Sequence, residues 1–185
     1  LIRWRRPGGG LVQPDLFIPA AEESGIICSI GDWAIREAMA QSVRWGHEGL
    51  ATVPLAVNIS ARQFSDMAIV DTIRSALADS GLNPSMLKVE LTESTAMRDA
   101  EQAATLLQSI HEMGVSVAVD DFGTGYSSLS VLRRCPISEL KIDRSFVSDV
   151  GKNSDDDAIV RGTIALAHSL GMSVVAEGVE TQAQL

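Results

Sequence analysis

Segments rich in β-branched residues alternate with amphipathic segments from residue 51 onward, and this alternation restricts the fold more than any other feature. Predicted strands cover 53–60, 86–93, 115–120, 138–143 and 172–178, and predicted helices cover 67–81, 98–114, 126–135 and 154–171. Successive strands start roughly 25–35 residues apart, which is the length of a βαβ unit. The pattern therefore predicts an α/β fold with a parallel sheet and right-handed crossovers.

The first fifty residues follow a different pattern. Residues 1–5 are predicted to be the end of a strand and 7–10 a turn, followed by a short helical segment at 14–25 and a long helix at 31–46. With the stub at 1–5 the sequence has six predicted strands. This number fits either an open doubly wound sheet or most of an eight-stranded barrel. Polar residues near almost every strand end favour the barrel, since a doubly wound sheet concentrates its site at one switch point.

The stretch VAVDDFGTGYSSL at 117–129 places two adjacent carboxylates, Asp120 and Asp121, before a turn that contains Gly123 and Gly125. Side chains alternate between the two faces of a strand. Two neighbouring aspartates can therefore serve one site only if the strand ends there, so we expect it to end at Asp120. Strand ends of this kind hold the chemistry of barrel enzymes.

The other predicted strands also end in groups that could bind a metal ion or a substrate: Asn58, Glu90, Lys141 and Glu177. At one barrel mouth the carboxylates of Glu90, Asp120, Asp121 and Glu177 would repel one another. Hard divalent cations with oxygen ligands, Mg²⁺ or Mn²⁺, would offset this repulsion, and two ions would balance four carboxylates. An aspartate that bridges two metals is typical of phosphodiester hydrolases. The alternative is that these acids simply cap the helices that follow.

Asn58 and Lys141 complete this predicted site. The amide of Asn58 could add a neutral oxygen ligand, and Lys141 could orient a water molecule or a phosphate oxygen as a point charge. The net charge of −9 argues against a nucleic-acid polymer as partner. The isolated Cys28 and Cys135 indicate a reducing, cytoplasmic setting. No apolar run approaches the roughly 20 residues that span a bilayer, so no membrane contact is expected of this segment.

The residues of this predicted site carry a resemblance to the EAL domain, a family of bacterial cyclic-di-GMP phosphodiesterases. The matching segments are LIRW (1–4), FIPAAEESG (17–25), AVNIS (56–60), ELTES (90–94), DDFGTGYSSL (120–129), LKIDRSFV (140–147) and VVAEGVET (174–181). The resemblance implies a TIM-type (β/α)8 barrel with one antiparallel strand. It also implies metal-dependent hydrolysis of cyclic di-GMP to linear pGpG, which lowers this second messenger in bacterial signalling.

The resemblance also implies individual roles. The metal site would consist of Asn58, Glu90, Asp120, Asp121 and Glu177. Asp120 would bridge the ions, Lys141 would hold the attacking water, and Glu177 would be a metal ligand or a general base, which the sequence leaves open. Candidate substrate contacts are Leu1, Arg3 and Asp143. Two further acids, Glu93 and Glu180, would support the site from outside the metal ligands, Glu93 by holding the DDFGTGYSSL loop near the family's dimer interface. Phe122, Tyr126 and Ser127 would shape that loop.

The sequence also departs from the family pattern at both ends. It begins at what matches the leucine of the Glu-Ala-Leu motif, and it lacks the family's QGY-like segment and final strands. We therefore expect one partial EAL-type domain over residues 1–185, an incomplete barrel that by itself is weakly active or inactive while its parent protein is active. Linked sensory or diguanylate cyclase domains, a homodimer and an inner-membrane anchor elsewhere in the parent are further expectations.

Two other functions stay open from the sequence. The first is a catalytically silent EAL domain that binds cyclic di-GMP as a receptor or acts as an interaction module. Such receptors usually carry substitutions at metal positions, and the sequence shows none. The second, more remote, is an unrelated Mg²⁺ barrel enzyme, which would need a base on an opposite strand.

Overall fold

A five-stranded parallel sheet forms the centre of the computed structural model, which describes residues 2–125 and 129–184. Its strands follow one another in chain order: β3 (Leu55–Asn58), β4 (Leu87–Thr92), β5 (Ser116–Phe122), β6 (Glu139–Ile142) and β7 (Ser173–Ala176). Every neighbouring pair in this sheet is parallel. The predicted α/β fold with a parallel sheet is therefore confirmed.

Eight helices in the described ranges connect and cover these strands. They are α1 (Pro14–Ser24), α2 (Ile27–His47), α3 (Ala68–Ser80), α4 (Glu93–Met97), α5 (Ala100–Glu112), α6 (Leu129–Arg134), α7 (Arg144–Ser148) and α8 (Ser154–Ser169). Local signals set their ends: Asp99 and Asn153 accept hydrogen bonds from the first backbone N–H groups of α5 and α8, and Gly81 ends α3 in the left-handed conformation. None of the described helices has the length and apolar character needed to cross a bilayer.

The hydrophobic core lies between one face of the sheet and the helices. Along β4 the side chains of Val89 and Leu91 are buried on this face, and along β5 those of Val117 and Val119 are buried in the same way. Each such aliphatic side chain contributes roughly 1.5–3 kcal/mol when it is fully buried. The residues between them, which include Lys88, Glu90 and Asp120, point to the opposite face. This inner face therefore carries the polar and charged groups of the sheet.

The N-terminal strand differs from the expectation. Residues Trp4–Arg5 form β1, but β1 pairs antiparallel with β2 (Leu11–Val12) in a separate two-stranded sheet and not with the main sheet. Between them the glycines at positions 8–10 all have positive φ values of 91–105°. Because glycine adopts such angles without steric cost, the chain reverses tightly and β1 finds its partner locally. Leu1, Tyr126 and Ser127, which carried sequence-based interpretations, lie outside the described residues.

Candidate active site

A bulge in β5 brings Asp120 and Asp121 to the same site. The strand does not end at Asp120, as the sequence suggested, but continues to Phe122, and its register with β6 shifts between Val119 and Phe122. Asp121 has a φ of 54°, and among the described residues it is the single non-glycine residue with positive φ. An extra residue in a strand breaks the alternation of faces. The expectation of a strand end was therefore wrong, because a bulge solves the same geometric problem within the strand.

Three carboxylates form a cluster that could hold a metal ion. One carboxylate oxygen each from Asp120, Asp121 and Glu177 lie within 4.8 Å of one another, and all three residues are half-buried. Burial raises the pKa of Asp121, and the nearby charges of Asp120, Asp143 and Glu177 raise it further, against the opposing effect of Lys141. The protein thus concentrates negative charge here, as in a cation site.

The ammonium group of Lys141 lies among the carboxylates. Its Nζ is 2.7 Å from Glu177 Oε1, 3.0 Å from Asp120 Oδ1 and 3.3 Å from Glu90 Oε2. Burial by itself would lower the pKa of Lys141, but hydrogen bonds to Glu177 and Asp120 and the charges of Asp120 and Glu90 together raise it above its ordinary value. Lys141 is therefore a fixed positive charge, and its three N–H donors each have a carboxylate partner.

Glu90 and Asn58 join the same group from the neighbouring strands. They are paired in the register of β3 and β4, and Asn58 Nδ2 donates to Glu90 Oε2 at 3.4 Å. Glu90 is buried with 8% exposure and reaches the cluster through Lys141. It is not among the three acids whose oxygens lie within 4.8 Å of one another. The structure thus gathers six of the predicted residues at one end of the sheet: Asn58, Glu90, Asp120, Asp121, Lys141 and Glu177.

Glu93 connects α4 to the glycine-rich loop that follows β5. This buried side chain accepts hydrogen bonds at Oε2 from the backbone N–H groups of Gly123 (2.9 Å) and Gly125 (3.2 Å). Gly123 has a φ of 102°, and a Cβ atom there would lie 2.9 Å from the ring of Phe146. A glycine is therefore required at this position for both conformation and space. The contact links the loop directly to the end of β4.

The structure gives Asp143 and Glu180 local roles at the edge of the site. Asp143 begins α7, where it accepts hydrogen bonds from the backbone N–H of Ser145 at 2.9 Å and from the Ser145 hydroxyl. These bonds lower the pKa of Asp143. Glu180 forms an exposed ion pair with Arg144 at 2.8 Å. Contact between Asp143 and a substrate stays a prediction.

Arg3 lies outside the carboxylate group. It is exposed, and its Nη1 donates to the carbonyl oxygen of Ile2 at 2.9 Å. It lines a groove of about 580 Å³ together with Trp4, Phe17 and Trp33. No ion pair in the described ranges joins Arg3 to the acids of the site, so its contact with a substrate phosphate also stays a prediction.

Sequence reasoning missed a second ion pair on the inner face, between Lys88 and Glu139 at 2.7 Å. Ser173 on β7 donates its hydroxyl to the other oxygen of Glu139 at 3.2 Å. The sequence spacing could have revealed this pair. Lys88 lies two residues before Glu90, and Glu139 lies two residues before Lys141, so each shares the strand face of its neighbour. Charged residues inside strands that are buried in this way need partners.

The fold and this acidic site define a parallel α/β protein of the barrel type, and the comparisons identify its family. The family described as EAL domain matches residues 1–185, so the chain belongs to the EAL domain family. It is 50% identical over 184 residues to the bifunctional diguanylate cyclase/cyclic di-GMP phosphodiesterase MucR of Pseudomonas aeruginosa, covering 100% of this chain and 27% of MucR. It is 43% identical over 185 residues to the cyclic di-GMP phosphodiesterase NbdA of the same organism, covering 100% of this chain and 24% of NbdA.

A solved structure of the same kind is similar in three dimensions. The PaMucR phosphodiesterase in complex with c-di-GMP superimposes with a TM-score of 0.92 at 49% identity, and the match covers 98% of this chain and 74% of that one. This neighbour has the TIM-barrel-like EAL fold. The chain spans about a quarter of the length of the curated relatives it matches.

Proposed function

We propose that this chain is the catalytic unit of a phosphodiesterase that hydrolyses one phosphodiester bond of cyclic di-GMP and releases linear pGpG. The observation that carries the proposal is the cluster of Asp120, Asp121 and Glu177 around the ammonium group of Lys141. The similarity to MucR and NbdA, both named for this activity, supports the choice of substrate. The complex of PaMucR with c-di-GMP supports it further.

The donor set fits two divalent cations, Mg²⁺ or Mn²⁺. Carboxylate and amide oxygens are the ligands that these hard ions prefer, and Glu90, Asp120, Asp121 and Glu177 together outweigh the single charge of Lys141. These four acids and Asn58 would hold the ions. When bound, the ions would lower the pKa of a water molecule and stabilise negative charge on the phosphate.

Lys141 and Glu177 have different roles in the proposed reaction. Because its pKa is raised, Lys141 stays protonated near neutral pH, so it acts as a permanent cation and not as a base. Its longest contact, 3.3 Å to Glu90, is the one it can exchange for a water or phosphate oxygen at the least cost. Glu177 has the most exposed carboxylate of the three Lys141 partners, with 36% of its side chain accessible. It is therefore the group best placed to accept a proton from an entering water.

The proposal extends to the protein of which this chain forms a part. Because this chain spans 27% of MucR, a bifunctional diguanylate cyclase/cyclic di-GMP phosphodiesterase, we propose that linked sensory or diguanylate cyclase domains regulate it. We also propose that the complete protein is a homodimer in the cytoplasm, as the family resemblance implies. Size-exclusion chromatography with light scattering of the complete polypeptide tests the dimer. A monomer at all concentrations would contradict that part alone.

Product analysis tests the activity. The complete protein is incubated with cyclic di-GMP and Mg²⁺ or Mn²⁺, with and without a chelator, and the products are identified by mass spectrometry. We expect pGpG from the unmutated protein, none after chelation and none from Asp120→Asn. The exposed Asp79→Asn is the matched control and should retain activity. Binding of cyclic di-GMP without turnover would instead identify a silent receptor, and neither binding nor turnover would exclude both functions.

A further inference from the structure

Two ion pairs join β4 to β6 across the inner face of the sheet, although β5 lies between these strands. Glu90 of β4 pairs with Lys141 of β6, and Lys88 of β4 pairs with Glu139 of β6. The second pair is the shorter, at 2.7 Å, and its side chains keep only 24% and 12% of their exposure. In a barrel, alternate strands contribute the side chains of one interior layer. The two pairs therefore belong to two successive layers of the interior, and the Lys88–Glu139 layer lies directly beneath the site.

The two pairs run in opposite order. On β4 the lysine comes two residues before the glutamate, whereas on β6 the glutamate comes two residues before the lysine. Residues two apart on a strand share a face. Each of the four charges thus has an opposite charge across the sheet and another beside it on its own strand.

We propose that Lys88 and Glu139 are positioning residues that act through Lys141, an inference that rests on the proposed phosphodiesterase function. Within β6, Glu139 is the acid that shares a face with Lys141, two residues away. Lys88 holds Oε1 of Glu139 at 2.7 Å, and the Ser173 hydroxyl lies 3.2 Å from Oε2 and also 3.2 Å from the carbonyl oxygen of Ser138. Among the described residues Glu139 forms no ion pair with Lys141, so it does not compete for that ammonium group. Lys141 is left to the carboxylates of the site, where it contacts Glu177, Asp120 and Glu90.

If the Lys88–Glu139 pair only held β4 and β6 together, its effect would require an ion pair but would not depend on which strand carries which charge. The swap Lys88→Glu/Glu139→Lys keeps an ion pair between the two positions and reverses its order. It places a glutamate beneath Glu90 and a lysine beneath Lys141, so like charges become neighbours along each strand. The swap therefore distinguishes a positioning role from a role in holding the two strands together.

Lysine side-chain NMR provides a readout that does not require activity. The lysines of this chain are at positions 88, 141 and 152, and a single variant at each of them, made in the complete protein, assigns its ¹⁵N-labelled ammonium signal. In Lys88→Met we expect the Lys141 signal to shift, because Glu139 becomes a free competitor for its ammonium group. The exposed Lys152→Met is the matched control and should leave that signal in place. Lys88→Arg keeps the positive charge, so the Lys141 signal should stay close to its original chemical shift.

Kinetics of cyclic di-GMP hydrolysis supply the second readout. A displaced catalytic group costs rate more than substrate affinity, so we expect kcat of Lys88→Met to fall by about ten- to a hundredfold with little change in KM. Lys88→Arg should recover most of this loss. Because it restores an ion pair, the swap should recover part of the melting temperature lost in Lys88→Met, but neither kcat nor the original Lys141 signal.

Two results would overturn the proposal: an unchanged Lys141 signal in Lys88→Met, or a swap that restores both kcat and the signal. Should Lys88→Met fail to fold, the swap decides the matter through the Lys141 signal, since it retains the ion pair. An unmutated protein without turnover would refute the proposed function. The Lys141 signal in the variants would still show whether Lys88 and Glu139 position it.

Discussion

The backbone N–H of Asp121 donates a hydrogen bond to Oδ1 of the preceding Asp120 at 3.0 Å, which holds the Asp120 carboxylate against the backbone of Asp121. A regular strand would point the side chains of these two residues in opposite directions. The bond accompanies the positive φ of Asp121 and the shift of register between β5 and β6. The bulge is therefore the feature that makes this buried strand part of the candidate cation site.

Asp121→Asn should leave the metal-free protein as stable as before or more so. Asparagine tolerates the left-handed backbone, and the change removes a carboxylate whose pKa is raised by burial and by neighbouring acids. A raised pKa means that ionisation of Asp121 destabilises the fold at neutral pH, and that this cost is relieved as the pH falls. Thermal unfolding without metal measures this effect. With Mn²⁺ the unmutated protein should become more stable than Asp121→Asn, because it gains stability by binding the ion. An equal gain in both proteins would contradict the assignment of Asp121 as a ligand.

Glu93→Ala should loosen the loop that follows β5. The change leaves the backbone N–H groups of Gly123 and Gly125 without their common acceptor, at a cost of about 1–3 kcal/mol in the free energy of unfolding. Glu93→Gln keeps one acceptor oxygen and should lose less. Urea denaturation measures the loss, and amide hydrogen exchange at the two glycines localises it. Glu112→Ala, on the exposed face of α5, is the control. Equal protection of both glycines in all three variants would count against this role of Glu93.

Gly31→Ala should destabilise the protein through Gln63. A Cβ atom at Gly31 would lie 1.9 Å from Nε2 of Gln63, whose Oε1 accepts from the backbone N–H of Ser60 at 3.2 Å. Overpacking of this kind costs about 1–3 kcal/mol, measured as the free energy of unfolding in urea.

Gly162→Ala provides the matched control for this substitution. Gly162 lies on the exposed face of α8, and a Cβ atom added there would have no neighbouring atom within 4 Å outside its own helix backbone. Alanine there should stabilise the protein by about 0.5–1 kcal/mol. Equal effects at positions 31 and 162 would show that the contact with Gln63 does not matter.

The two cysteines should differ in their reaction with iodoacetamide. Burial raises the pKa of the Cys135 thiol, against a smaller opposing effect of Arg134, so this thiol stays protonated where an ordinary cysteine begins to ionise, at about pH 8.5. Because the unfolded state ionises first, Cys135 also costs stability as the pH rises above that value. Cys28 is partly exposed and should react. Mass spectrometry after labelling measures the difference, with both cysteines labelled in urea as the control. Equal labelling in the folded protein would contradict the burial of Cys135.

The period of the hydrophobic residues was sufficient to predict β3 to β7 and the helices α3, α5, α6 and α8, whereas the short helices α4 and α7 were not predicted. Burial on one face of a parallel sheet imposes a two-residue alternation, and the capping residues Asp99, Asn153 and Gly81 are local signals. The gathering of Asn58, Glu90, Asp120, Lys141 and Glu177 followed from the same reasoning, since the ends of parallel strands meet at one edge of the sheet.

Other features depend on contacts between residues far apart in the chain. The bulge at Asp121 cannot be read from β5 alone, because it is defined by the register with β6. β1 pairs with β2 and not with a strand of the main sheet because three glycines close a local hairpin between them.

The sequence by itself determined the parallel α/β architecture, the family resemblance and the acids that end the strands, because these depend on residue type and short-range spacing. The tertiary structure decided which acids share Lys141, how two successive aspartates reach one site, and that Lys88 neutralises Glu139 beneath it. The physical reason is that interactions between charges depend on distance and burial, and both are fixed only when separate strands are brought into register.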